Sequence, residues 1–110
     1  MEIEPLENCS TCPVEFAVNA IGGKWKILIL YHLLNKDIIR FNELQKLLST
    51  VTHRTLTRQL RELEEGGLVS RVAYAEMPPR VEYSLTDKGH SLTPILLQLQ
   101  NWGLQHMQAP

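Results

Sequence analysis

Apolar positions recur at helical spacing through most of this chain and alternate with polar ones in a stretch past its middle. Leu56, Leu60 and Leu63 fall at i, i+4 and i+7, so a helix there buries one stripe and turns its other side outward. Thr52 is its expected N-cap, and Gly66–Gly67 stops it as a left-handed C-terminal cap requires. Leu44, Leu47 and Leu48 give a two-turn helix just before it, entered through Phe41 and a capping-box variant, Asn42 with Gln45. Ser49–Thr50–Val51 is the turn between the two. Upstream, Val14, Phe16–Ala17 and Ala20–Ile21 predict a short helix opened by Pro13 and ended by Gly22–Gly23, with residues 1–12 a loose arm. Trp25, Leu28–Ile29 and Leu33 predict another helix over about Lys24–Leu34.

Downstream the period shortens. Val69 and Arg71 through Tyr74 read as a strand, Val81, Tyr83 and Leu85 as its partner, and Pro78–Pro79 as the loop between them. Arg40–Phe41 is too short for more than a fragment of strand. Thr86 caps a last helix running to about His106, which Pro94 kinks or restarts. The order is that of an α+β, mostly helical fold: a winged helix-turn-helix with a two-stranded β-hairpin wing and flanking terminal helices. Residues 1–110 form one domain, with the helix-turn-helix and wing over 40–85 and flanking helices at 13–21 and 86–106.

Composition fits an ordinary globular chain, 44% hydrophobic and 21% charged. No apolar run approaches a membrane span, and the acidic start MEIEPLEN is not a signal-peptide n-region, so the cytoplasm is the expected location. A net charge of −1 argues against a general polyanion binder, yet its distribution is uneven. Between Arg40 and Arg61 stand Arg40, Lys46, Arg54, Arg58 and Arg61 against Glu43 alone, while no Asp, Glu, Lys or Arg follows Lys88. The basic charge therefore coincides with the helix that would enter a DNA major groove. His53, Thr55 and Thr57, with Thr52, are compact enough for base edges or phosphates; Arg54, Arg58 and Arg61 supply guanidinium forks. Arg71 and Arg80 flank the wing tip, and Arg40 and Lys24 are further candidates for the backbone. A charged helix face is often only solvated, but helix and wing together favour binding of double-stranded DNA.

The neutral end of the chain points to self-association. Leu92, Ile95, Leu96, Leu99, Trp102 and His106 lie along one side of the last helix, Leu97 and Leu104 along another. A small winged domain cannot bury both faces, so a twofold interface is expected, with Phe16 and its helix contributing and Leu96, Leu99, Trp102 and His106 at its centre. Two readers related by a twofold axis meet successive major grooves about 34 Å apart, which suits an inverted repeat.

Cys9 and Cys12 are the only cysteines, spaced CxxC. They supply half a structural zinc site, and His32, His53, His90 and His106 show no matching pair, so no metal is expected, nor any other cofactor. Cys12 precedes Pro13 at a helix start, where free N–H groups and the helix dipole favour a thiolate. A half-buried small hydrophobe is the alternative. An enzyme is poorly supported, because the chain has no phosphate loop, nucleophile elbow or convincing carboxylate pair, and Glu62, Glu64 and Glu65 read as a solvated helix end. A winged helix devoted to protein contacts is the remaining rival, disfavoured by the outward arginines.

Several segments in order, CPVE at Cys12–Glu15, GGKWKILIL at Gly22–Leu30, RFNEL at Arg40–Leu44, LTRQLRELEEGGLVSR at Leu56–Arg71, MPPRVEYSLTDKG at Met77–Gly89 and the late Trp102, resemble the HxlR-type bacterial transcriptional regulators over nearly the whole chain. The resemblance implies a homodimeric regulator on an inverted repeat near a promoter, built through helices at both chain ends, repressing or activating detoxification and stress genes. It also implies that Cys12, with Cys9 or a partner thiol resolving it, is where a small electrophile or oxidant would act.

Overall fold

The computed structural model describes residues 12–107. Cys9 and all of the expected arm except Cys12 lie outside them. The elements run α1 (Pro13–Ile21), α2 (Lys24–Lys36), β1 (Ile38–Arg40), α3 (Phe41–Leu48), α4 (His53–Glu65), β2 (Val69–Tyr74), β3 (Arg80–Leu85), α5 (Asp87–His90) and α6 (Thr93–His106). This is the mostly helical α+β winged architecture that the sequence predicts, with α3 and α4 as the helix-turn-helix and β2–β3 as the wing.

The two-stranded wing is present, and the strand fragment expected at Arg40–Phe41 is found one step earlier as β1, which joins the wing in a three-stranded sheet of order β1-β3-β2, both pairs antiparallel. Ile38 pairs with Ser84 and Arg40 with Glu82 on one side of β3, while Val69 pairs with Leu85 and Tyr74 with Arg80 on the other. Ile39 is fully buried beside Tyr83, so even three residues of β1 suffice to anchor the start of α3 to the base of the wing.

The core is assembled chiefly from one face of four elements: Ile29, Leu30 and Leu33 of α2, Leu44 and Leu48 of α3, Leu56, Leu60 and Leu63 of α4, and Tyr83 and Leu85 of β3. The leucine period read from the sequence is thus the packing period. Leu96 completes this core at 2% exposure. It was expected at a subunit interface and belongs instead to its own chain's interior, the one buried residue of α6. Pro94 stands in the first turn of α6, so the last helix is two pieces, broken between His90 and Thr93.

Candidate nucleic-acid interface

Both ends of α4 are fixed by local chemistry. Thr52 caps its start, its hydroxyl oxygen accepting from the Thr55 backbone N–H at 3.1 Å. Gly67, at φ 78°, supplies the left-handed residue of a Schellman ending: the Leu68 N–H donates to the Leu63 carbonyl at 3.0 Å and the Gly67 N–H to that of Glu64 at 3.0 Å. The turn belongs to Gly67; Gly66 remains right-handed. Leu63 and Leu68 both enter the core, which adds the hydrophobic contact of that motif. The following segment braces the same end. Lys88 Nζ donates to the Gly66 carbonyl at 3.0 Å and the Thr86 hydroxyl to that of Gly67.

α3 begins one residue earlier than the Asn42–Gln45 pattern predicts. Arg40 occupies the N-cap position without a side-chain cap, so the expected capping box does not form. Phe41, the first helical residue, packs partly on the core and meets the His53 ring 4.7 Å away. That contact ties the start of the supporting helix to the start of α4.

Leu56, Leu60 and Leu63 dock α4 inward, leaving His53, Arg54, Arg58 and Arg61 exposed. Among the described residues none of Arg54, Arg58 and Arg61 forms an ion pair, so all three guanidinium groups remain available. Thr57 donates to the His53 carbonyl at 2.8 Å, a back-bond that fixes its side chain, and Thr55 is half-buried.

A groove of about 1040 Å³ runs between α3, α4 and the wing. Arg40, His53, Thr57, Arg61, Arg71 and Arg80 line it, so the structure gathers candidates from three separate sequence stretches onto one concave face. Arg54 and Arg58 continue it along α4 with His53, Thr57 and Arg61 in a second, shallower hollow. Thr52 stands at the cap of the same helix. Lys24 lines neither hollow: it begins α2, with Nζ 4.6 Å from the centre of the Trp25 ring.

Two ion pairs tie α2 to the helix-turn-helix. Lys26 is nearly buried, its side chain 11% exposed, and Nζ lies 2.9 Å from Glu62 Oε1. Glu62, expected as part of a solvated helix end, therefore joins α4 to α2. The bond and the charge of Lys26 hold its carboxyl below the usual carboxylate range. Lys36 likewise reaches Glu43 at 2.5 Å across the α2–α3 corner and lowers that carboxyl. The sequence offers no signal for the first pair, because Lys26 sits in an apolar helix with no acid at i±4.

The terminal helices lie apart from the groove. α1 has no buried residue, only Ala20 and Ile21 touching the core from its end, and Phe16 is 70% exposed. On α6, Leu99, Leu104 and Trp102 are exposed, and the His106 ring stacks on Trp102 at 4.4 Å. Cys12 is a free, half-buried thiol at the N-cap position of α1. Among the described residues no group of three or more His, Cys, Asp or Glu is placed to hold a metal, and no helix is long and apolar enough to cross a membrane.

Comparison with known proteins agrees with this geometry. The model of HxlR-like helix-turn-helix proteins matches residues 20–110. The chain is 50% identical over 96 residues to the HTH-type transcriptional regulator YybR of Bacillus subtilis (strain 168), covering 87% of this chain and 76% of that one. Among solved structures it is similar to the redox regulator HypR in its oxidized form, with 48% identity and a TM-score of 0.83 over 89% of this chain and all of that one. The reduced form of HypR gives 49% identity and a TM-score of 0.80, over 84% of this chain and 91% of the other.

Proposed function

Because the chain belongs to the HxlR-like helix-turn-helix family, we propose that this DNA-binding transcriptional regulator works as a homodimer on an inverted repeat. In each protomer α4 enters a major groove, and Arg40, Arg71 and Arg80 engage the neighbouring phosphates. The observation that carries the reading is the shared groove, which brings the unpaired Arg61 of α4 together with Arg71 and Arg80 of the wing. Phosphate contacts fix register while the forks of Arg54 and Arg58 reach guanine edges.

Dimerisation is supported by the exposed apolar surface of α1 and α6. Phe16 on α1 and Leu99, Trp102 and Leu104 on α6 are large apolar side chains left exposed, more than solvation of a chain of this size favours. His106 extends the same face through its stack on Trp102. A twofold contact places one α4 on each half-site, which explains how a chain of net charge −1 holds a polyanion: only the reading face needs to be basic.

Fluorescence anisotropy of a duplex selected from a randomised pool tests this directly. Between 50 and 200 mM salt the affinity of a dimer making several phosphate contacts falls by roughly a thousandfold or more. Binding that is indifferent to salt would support the protein-contact module instead.

The position of Cys12 favours a response to oxidants or electrophiles as well. It sits where α1 begins, next to the apolar face, and the similarity to the redox regulator HypR supports a chemical role for it. Modification there would shift α1 and so the distance between the two readers. Diamide should change operator affinity in the wild type and leave Cys12→Ser unaffected; equal responses would remove Cys12 from the mechanism.

A further inference from the structure

We propose that Glu82 is a positioning residue for DNA binding, whose carboxylate gathers Arg40 and Arg80 into one phosphate-binding fork where the helix-turn-helix meets the wing. The inference rests on the DNA-binding reading above and adds to it a residue that touches no DNA. Glu82 stands on the central strand β3, opposite Arg40 of β1 in the register and two residues beyond Arg80. One oxygen, Oε2, lies 3.8 Å from Arg40 Nε and 3.4 Å from Arg80 Nε. The carboxylate is only 19% exposed, whereas Arg40 is mostly in solvent.

Arg80 is held from three sides. Its guanidinium carbon lies 4.1 Å above the centre of the Tyr74 ring, its cross-strand partner, and Glu76 Oε1 is 3.7 Å from Nε. Nε is fully buried, yet among the described residues it donates to no acceptor in hydrogen-bonding geometry. The approach of Glu82 is thus close enough for charge attraction and short of a bond. A guanidinium has four further N–H donors, and Arg80 lines the groove beside Arg40 and Arg71. Two cations side by side repel; Glu82 between them, with Glu76 beside Arg80, offsets that repulsion and lets both remain there. Part of the ordering of two long side chains is then done before DNA arrives. Closure of Glu82 onto Nε on binding would satisfy the orphaned donor and turn the outer N–H groups to phosphate.

A simpler role, in which Glu82 merely masks positive charge, makes the opposite prediction. Masking predicts that Glu82→Gln tightens binding to every duplex. Positioning predicts a loss confined to the register-fixed complex, since loose, sequence-independent contacts do not need an ordered fork. The test uses the full chain, anisotropy titrations, a duplex selected by the wild type and a mixed-sequence duplex of equal length. Glu82→Gln is expected to weaken the selected complex roughly tenfold and to change the mixed-sequence one less than about twofold. In an Arg40→Gln/Arg80→Gln background the same change should have almost no effect. Tighter binding to both duplexes, an unchanged selected complex, or a loss that persists without the arginines would each overturn the proposal. Should Glu82→Gln melt early, the two arginine variants carry the test alone: a shared fork makes their losses coupled, and losses that simply multiply refute it. A wild-type chain that selects no duplex at all overturns the operator reading itself.

Discussion

Gly89→Ala should be among the most damaging single-methyl additions to this fold. Gly89 lies in α5, buried, where a Cβ would stand 2.2 Å from the Leu68 carbonyl oxygen, 3.3 Å from its carbon and 3.2 Å from Leu85 Cδ2. Carbon and oxygen ordinarily approach to about 3.3 Å, so the backbone must separate by roughly 1 Å. The crowded atom cannot simply yield, because the Leu68 carbonyl accepts from the Thr86 N–H at 3.1 Å. Overpacking of this kind costs about 1–3 kcal/mol, and weakening that hydrogen bond adds about 1 kcal/mol. At roughly 4–8 °C per kcal/mol for a domain of this order of size, the midpoint should fall by something like 10–25 °C. Leu68 also supplies the N–H that closes the end of α4, so operator affinity should fall even below the melting range. Thermal denaturation followed by circular dichroism at 222 nm reads the stability, and anisotropy reads the binding. A variant melting within about 3 °C of wild type would refute the steric argument.

Other substitutions probe separate parts of the molecule. Trp102→Glu places a charge on the exposed apolar face of α6 and should yield a monomer with strongly weakened operator binding, read by sedimentation velocity; a wild-type chain that is itself monomeric would sink the interface. Lys26→Met removes a nearly buried ammonium in favour of an apolar side chain of similar length and should melt at or above wild type, whereas Glu62→Gln, which strands the ammonium, should melt lower. The reverse order of melting temperatures would show that the pair itself is the stabilising element. His32 is pushed below its usual 6.5 first by burial and then by the charge of Lys36. Its neutral form is favoured by folding, so the unfolded chain takes up the proton first and stability should decline as pH falls below 6.5. His32→Asn should flatten that decline in melts taken between pH 7 and 5.5, and an unchanged slope would assign it to other groups.

The parts of the fold legible in the sequence are those whose stabilising contacts repeat with a short period. Leu56, Leu60 and Leu63 announce α4, and Val81, Tyr83 and Leu85 announce β3, because each buries its side chains at a regular interval. What stayed hidden depends on partners far away in the chain. β1 is a strand only because Ile38 finds Ser84, a pairing across 46 residues that no local pattern encodes. Leu96 follows the same helical spacing as Leu99, yet one faces the core and the other water, and only the docking angle of α6 decides which. The outward arginines of α4 are visible as a charge cluster, since an outward face shows itself by composition. Glu82 is not, because a single acid in an alternating strand looks like any solvent-facing residue until Arg40 is laid beside it.

α1 carries a consequence for how the regulator behaves as it is diluted. It is a nine-residue helix without a single buried residue, joined to α2 through Gly22 and Gly23, the latter at φ 91°. Helices this short are marginal in water without packing partners. If a second protomer supplies that packing, α1 folds when the dimer forms and frays when it dissociates, so helix content becomes a function of protein concentration. Folding of the first helix, assembly and operator occupancy then form a single linked equilibrium, in which DNA itself helps complete the protein's secondary structure.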